Sequence, residues 1–134
     1  MKIVKLTETV AVSGQIAPEH VTEIAAAGYQ VIINNRPDGE EGNQPANADI
    51  AAAAEAAGLE YHHMPITAFN FPGPHFDLMT DLLDDNARPV LAFCRTGTRC
   101  ANLWVASRDA TSREQAMEQA RQLGYDLGMS SQFC

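Results

Sequence analysis

Basic residues are scarce in this chain: nine Lys and Arg stand against 17 Asp and Glu, for a net charge of −8. Binders of nucleic acid or of anionic membranes draw on clustered Lys and Arg, so this balance argues against both classes. Long apolar runs are missing too, and none approaches the length that crosses a bilayer. The opening Met1-Lys2-Ile3-Val4-Lys5 lacks the apolar core of a signal peptide. Cysteine is equally sparse. Three widely separated thiols build no disulfide framework, and no Cys/His spacing resembles a zinc site. His62 and His63 alternate faces on an expected strand and cannot serve one ion. Neither a metal nor another cofactor is expected, and a reducing, cytoplasmic setting fits.

What is present suffices for one domain over residues 1–134. Apolar residues make up 46 % of the chain, with no low-complexity segment, repeat or linker. A chain of this length buries roughly two-thirds of its unfolded surface.

Strand and helix patterns alternate. Ile3 to Leu6 and Val10 to Ser13 read as short strands around a turn, with Gly14 ending the second. Pro18 opens a helical run of Val21, Ile24 and Ala25 that Gly28 stops. Tyr29 to Asn34 has the pattern of a buried strand, ended by the turn Arg36-Pro37-Asp38-Gly39. An alanine-rich helix is expected from about Ala48 to Ala57, and a strand from Leu59 to Ile66. Phe69 to Pro74 is an irregular loop whose aromatics can wall a pocket. Phe76, Met79, Leu82 and Leu83 give the next helix its apolar face. Pro89-Val90-Leu91-Ala92-Phe93 is wholly apolar, as a central parallel strand should be. Ala101 to Ser107 follows as a helix, and Thr111 with Glu114 forms a capping box for a last helix through Leu123. The alternation predicts an α/β fold, a mainly parallel central sheet flanked by helices.

Ligands of such sheets gather at the carboxyl ends of the strands. Cys94 lies there, after the most apolar strand and before a helix, in the loop Cys94-Arg95-Thr96-Gly97-Thr98-Arg99. A tight loop feeding a helix amino terminus turns backbone N–H groups inward, and the helix dipole adds positive potential. Gly97 permits the turn, and Arg99 can grip an oxyanion with its fork. The same field lowers the pKa of Cys94 and favours its thiolate. A thiolate beside a bound oxyanion suits attack on phosphorus or carriage of a sulfane sulfur. Arg95 can attract an anionic substrate, and Thr96 and Thr98 can bond the thiolate or hold the loop. Asn34, Asn35 and Arg36 can line the pocket floor, orient the loop or satisfy local backbone groups, and a supporting structural role is expected. The expected partner is a small anionic substrate.

Three stretches carry a family resemblance: Val12-Ser13-Gly14-Gln15, Ile33 through Glu40, and Cys94-Arg95-Thr96-Gly97-Thr98-Arg99 with Trp104 after it. On these the chain resembles the beta-lactamase-hydrolase-like, phosphatase-like domain, a relative of the dual-specificity and protein tyrosine phosphatases. The resemblance implies a phosphatase-type α/β fold, a cysteinyl intermediate at Cys94 and anion binding by Arg99. Two departures stand out. Four residues separate Cys94 from Arg99, where tyrosine phosphatases place five and many rhodanese-type sulfurtransferases place four. The loop Thr67-Ala68-Phe69-Asn70-Phe71 also lacks the Asp such phosphatases use as general acid. Asp38, held in a turn at a strand end, is the best substitute. Cys100 stands where those enzymes carry Ser or Thr, and reads either as a redox partner of Cys94 or as a small residue filling the helix start. Three functions follow as expectations: a thiolate phosphatase, a rhodanese-like sulfurtransferase carrying a persulfide on Cys94, or a non-catalytic module for phosphorylated or sulfated ligands.

Overall fold

The computed structural model describes residues 1–133. Five strands form one sheet in the order β1-β2-β5-β3-β4: β1 (Ile3–Lys5), β2 (Val10–Ser13), β3 (Val31–Asn34), β4 (Glu60–His63) and β5 (Val90–Phe93). Only the β1–β2 pair is antiparallel; the others run parallel. The expected mainly parallel α/β architecture is therefore observed.

Strand side chains alternate between two cores. Val10, Val12, Val31, Ile33, Val90 and Ala92 face one side, where they meet α3 (Phe76–Asp84), α4 (Thr98–Ser107) and α5 (Arg113–Gln122) through Met79, Leu82, Leu103, Trp104 and Ala120. Ala11, Ile32, Leu91 and Phe93 face the other, against α1 (Val21–Ala26) and α2 (Asn47–Ala56) through Val21, Ile24, Ile50 and Ala54. Central strands buried on both faces need apolar residues at every position, which is why β3 and β5 read as unbroken runs. Cys94 continues the β5 alternation into the α3–α4–α5 side.

Several element bounds differ from the sequence reading. The strand expected from Leu59 to Ile66 pairs only over Glu60–His63, because its last residues turn inward to cap the end of β3: Met64 N–H donates to Asn34 O at 2.8 Å and Ile66 N–H to Asn35 O at 3.0 Å. The strand expected from Tyr29 likewise begins at Val31. Pro18–His20 forms a 3-10 turn leading into α1. The Thr111–Glu114 capping box does not form. Instead Asp109 Oδ1 accepts the backbone N–H of Thr111 and Ser112, at 3.1 and 2.9 Å, together with both hydroxyls. These bonds hold the Asp109 carboxyl down at about 2. The helix it starts is not the last, since α6 (Gly128–Phe133) follows.

Candidate active site

The parallel register aligns Ser13, Phe93, Asn34 and His63 in one row across the sheet. The residues immediately after this row make the site: Gly14 and Gln15, Cys94 and Arg95, Asn35 and Arg36, and Met64. Backbone bonds tie them together. Cys94 N–H donates to Ser13 O at 3.3 Å, Gln15 N–H to Arg95 O at 3.3 Å, and Asn35 N–H to Phe93 O at 2.8 Å. Gly14 allows the close approach, since a Cβ there would lie 3.0 Å from Arg95 O.

From Cys94 the chain makes a tight turn into α4. Gly97, the residue before the helix, adopts φ +91°, a left-handed conformation that costs any other residue roughly 1–2 kcal/mol. Its N–H points at Cys94 Sγ at 3.1 Å. Cys94 is fully buried, yet its thiol pKa is lowered to about 6. The largest cause is a hydrogen bond from the Cys100 thiol. Backbone N–H groups of Cys100, Thr96 and Gly97 add to it and together outweigh burial. Cys100, also fully buried, is pushed well above its ordinary value by desolvation and by the neighbouring thiolate. The expected depression at Cys94 is therefore present, with Cys100 in the position of donor to the sulfur.

Arg99 lies beside the sulfur on the first turn of α4. Its Nη1 donates to Ile66 O at 3.0 Å and its Nη2 to Glu40 Oε1 at 2.8 Å. Burial pulls the guanidinium pKa down, but the Glu40 bond and the Cys94 charge raise it overall. Glu40 was not among the residues the sequence singled out for chemistry. It follows Asp38 and Gly39 directly, in a stretch quoted above for its resemblance, and that position was the available signal. Burial pushes its carboxyl up, but hydrogen bonds and charge from Arg99 and Arg36 leave it below the ordinary value.

Arg36 is buried behind this pair. It donates through Nε to Glu40 Oε1 (2.9 Å), through Nη1 to Gln15 Oε1 (3.0 Å) and through Nη2 to Glu41 Oε1 (2.7 Å). Arg95 is largely exposed, and its Nε reaches the same Glu41 oxygen at 3.1 Å. Asn34 Oδ1 accepts Arg36 N–H at 2.8 Å, while its Nδ2 donates to Tyr61 Oη at 3.1 Å. Asn35 Nδ2 donates to Met64 O at 2.9 Å. His63 Nε2 sits 2.9 Å from Arg36 O. The side chains of Asn34, Asn35 and Arg36 thus tie the end of β3 to Tyr61, Met64, Gln15, Glu40 and Glu41.

Other expected residues lie around this centre. Thr96 Oγ1 donates to Thr98 Oγ1 at 3.0 Å, so the two threonines hold each other. Asp38 Oδ1 accepts Asn47 N–H at 2.8 Å, on the exposed amino terminus of α2, where a carboxylate satisfies an orphan donor. In the loop after β4, Phe69 is wholly exposed, whereas Phe71 packs on the core. Pro72 and Pro74 line a cavity of about 10 Å³ with Asn35, Ile66 and Met79, room for one water rather than a substrate. Tyr125 braces the outside of the loop, its ring 3.4 Å from where a Gly97 Cβ would lie. Asn102 ties α4 to that segment, donating to Thr98 O and Asp126 O at 2.8 Å each and accepting Ser130 N–H at 2.9 Å. Among the described residues no group of three His, Cys, Asp or Glu is placed to hold a metal ion, and no helix is long and apolar enough to cross a membrane. Cys134 lies outside the described residues.

Known proteins resemble this chain in sequence and in fold. A "Beta-lactamase hydrolase-like protein" of Xylella fastidiosa strain Temecula1 is 35 % identical over 131 residues. That match covers 96 % of this chain but only 30 % of the relative, so the chain spans under a third of that relative's length. A crystal structure of a candidate phosphatase from Neisseria meningitidis is 36 % identical, with a TM-score of 0.76, covering 96 % of this chain and 92 % of that one. The kinase associated phosphatase, crystallised with its catalytic-site cysteine changed to serine, shares the fold at 18 % identity and a TM-score of 0.73, covering 96 % of this chain and 86 % of that one. Residues 2–111 match the family described as "Beta-lactamase hydrolase-like protein, phosphatase-like domain". With a phosphatase-type fold around the Cys94 loop and a match over most of its length, the chain belongs to that phosphatase-like family.

Proposed function

We propose that this domain hydrolyses phosphate monoesters through a phosphocysteine intermediate on Cys94. The observation carrying this reading is the Cys94 sulfur, a thiolate above about pH 6, facing converging N–H groups with the Arg99 guanidinium beside it. Cys94 Sγ attacks phosphorus in line and the ester oxygen departs. The loop amides and Arg99 hold the equatorial oxygens while charge develops on them. Water then cleaves the sulfur–phosphorus bond, releasing inorganic phosphate and restoring the thiolate. Purified protein is expected to hydrolyse an activated aryl phosphate, and Cys94→Ser to lose that turnover. Equal rates from the two proteins would remove the proposal.

Asp38 donates the leaving-group proton only if its carboxyl leaves Asn47 N–H. Asp38→Asn keeps a capping oxygen and removes the acid. With that carboxyl committed to the helix end, the variant is expected to hydrolyse aryl and alkyl phosphates at near wild-type rates. A loss of roughly 10²-fold on the alkyl ester alone would assign the proton to Asp38.

A second reading is favoured by the four-residue spacing between Cys94 and Arg99 and by the Asp-free loop after β4. In it the Cys94 thiolate attacks the outer sulfur of thiosulfate or a persulfide, the donor's S–S bond breaks and sulfite or the donor thiolate leaves, a transfer needing no acid of this kind. Mass measurement after incubation with thiosulfate decides it. A sulfur increment on Cys94 supports it, and its absence, with no thiocyanate formed from cyanide, removes it.

A further inference from the structure

Arg99 is already occupied at two points by groups outside its own loop, and one of these carries a full negative charge. Glu40 Oε1 receives Arg99 Nη2 and Arg36 Nε together, at 2.8 and 2.9 Å. The carboxylate cannot swing aside easily, because Arg36 is itself fixed: its side chain is 3 % exposed and also bound to Gln15 and Glu41. Of the five guanidinium N–H groups of Arg99, two are in use, leaving three for a ligand. Its charge is offset in advance. Across the site, Arg36, Arg95 and Arg99 meet Glu40, Glu41 and the Cys94 thiolate, three charges against three.

We propose that Glu40 is a positioning residue that sets the anion affinity of the Cys94 loop. It fixes the plane of Arg99 and cancels much of its charge, so an oxyanion product is held weakly enough to leave. The inference rests on the anion-site reading of the loop, but applies equally to phosphorus and to sulfur chemistry.

Glu40→Gln separates charge from geometry, since the amide oxygen still accepts from both arginines. Removing the charge is expected to tighten binding of inorganic phosphate about fivefold at low salt, measured by calorimetry at pH 8. The titration midpoint of the Cys94 thiolate should also fall by about half a unit. It is read at 240 nm after subtraction of Cys94→Ser. The groups facing that sulfur, Arg99, Cys100 and Tyr125, are unchanged in the variant, as are Arg36, Glu41, Arg95 and His63 around Glu40. Glu40→Ala, which loses the acceptor as well, should forfeit the gain in affinity and lower turnover. Glu55→Gln, an exposed change of equal charge on α2, controls for net charge.

Weaker or unaltered phosphate binding in a Glu40→Gln protein of wild-type melting temperature would overturn the proposal, for a purely structural clamp predicts one of those results. Should the wild type bind no phosphate at millimolar concentration, the anion-site reading falls instead. The thiolate midpoint then decides the role of Glu40 alone: a downward shift upholds its hold on Arg99, and no shift overturns it.

Discussion

At the scale of single residues, the proposed chemistry depends on a thiolate stabilised in the interior. With its pKa near 6, Cys94 is mostly ionised at neutral pH, and kcat/KM should rise about tenfold per unit up to pH 6 and level off above it. The sign for stability follows from the same group. Its pKa is lower folded than unfolded, so the fold gains stability that is full above the ordinary thiol value and is lost as pH falls through about 6. Arg99→Lys keeps the charge but loses the fork, and should reduce kcat about 10²- to 10³-fold in a steady-state assay. Cys94 and Arg99 were legible in the sequence because they sit in one short loop whose spacing is itself the signal. Glu40 was not, because its partner Arg99 lies 59 residues away and only the folded sheet joins them. Gln15, which holds Arg36, was hidden for the same reason, since 21 residues separate the two.

At the scale of elements, the turn between β5 and α4 depends on one glycine. Gly97→Ala forces a Cβ into the left-handed region and to 3.4 Å from Ser13 O and the Tyr125 ring. We expect it to destabilise the protein by roughly 1–2 kcal/mol in urea titration. It should also lower turnover by more than that loss explains, since the Gly97 N–H faces the sulfur. Helices and strands were readable wherever the apolar period was strong, as in β3, β5 and α3. Errors fell at element ends, where local rules compete. Thr111 and Glu114 matched a capping pattern, but Asp109, two residues before Thr111, takes four donors from Thr111 and Ser112 instead. The strand after Gly58 looked longer than it is because Met64 and Ile66 are buried, a pattern that inward-turning capping residues share with strand residues.

For the whole molecule, one sheet with a core on each face should unfold in a single step. Trp104 fluorescence and far-UV circular dichroism are expected to give coincident urea curves, with a slope of about 1–3 kcal/mol/M. Two separated transitions would mean that the two faces unfold independently. The fold class was legible from alternation alone, whereas the order of the strands was not. The central position of β5 has a consequence for how the protein is made. β2 and β3 are both early in the chain, yet neither pairs with the other; each waits for a strand that begins at Val90. Until ribosomes have delivered that strand, β2 can pair only with β1 and β3 only with β4, so each keeps one apolar edge open, a hazard for aggregation and a natural moment for chaperone help. The strand that ends this exposure also delivers Cys94, so the proposed nucleophile and the finished sheet arrive together.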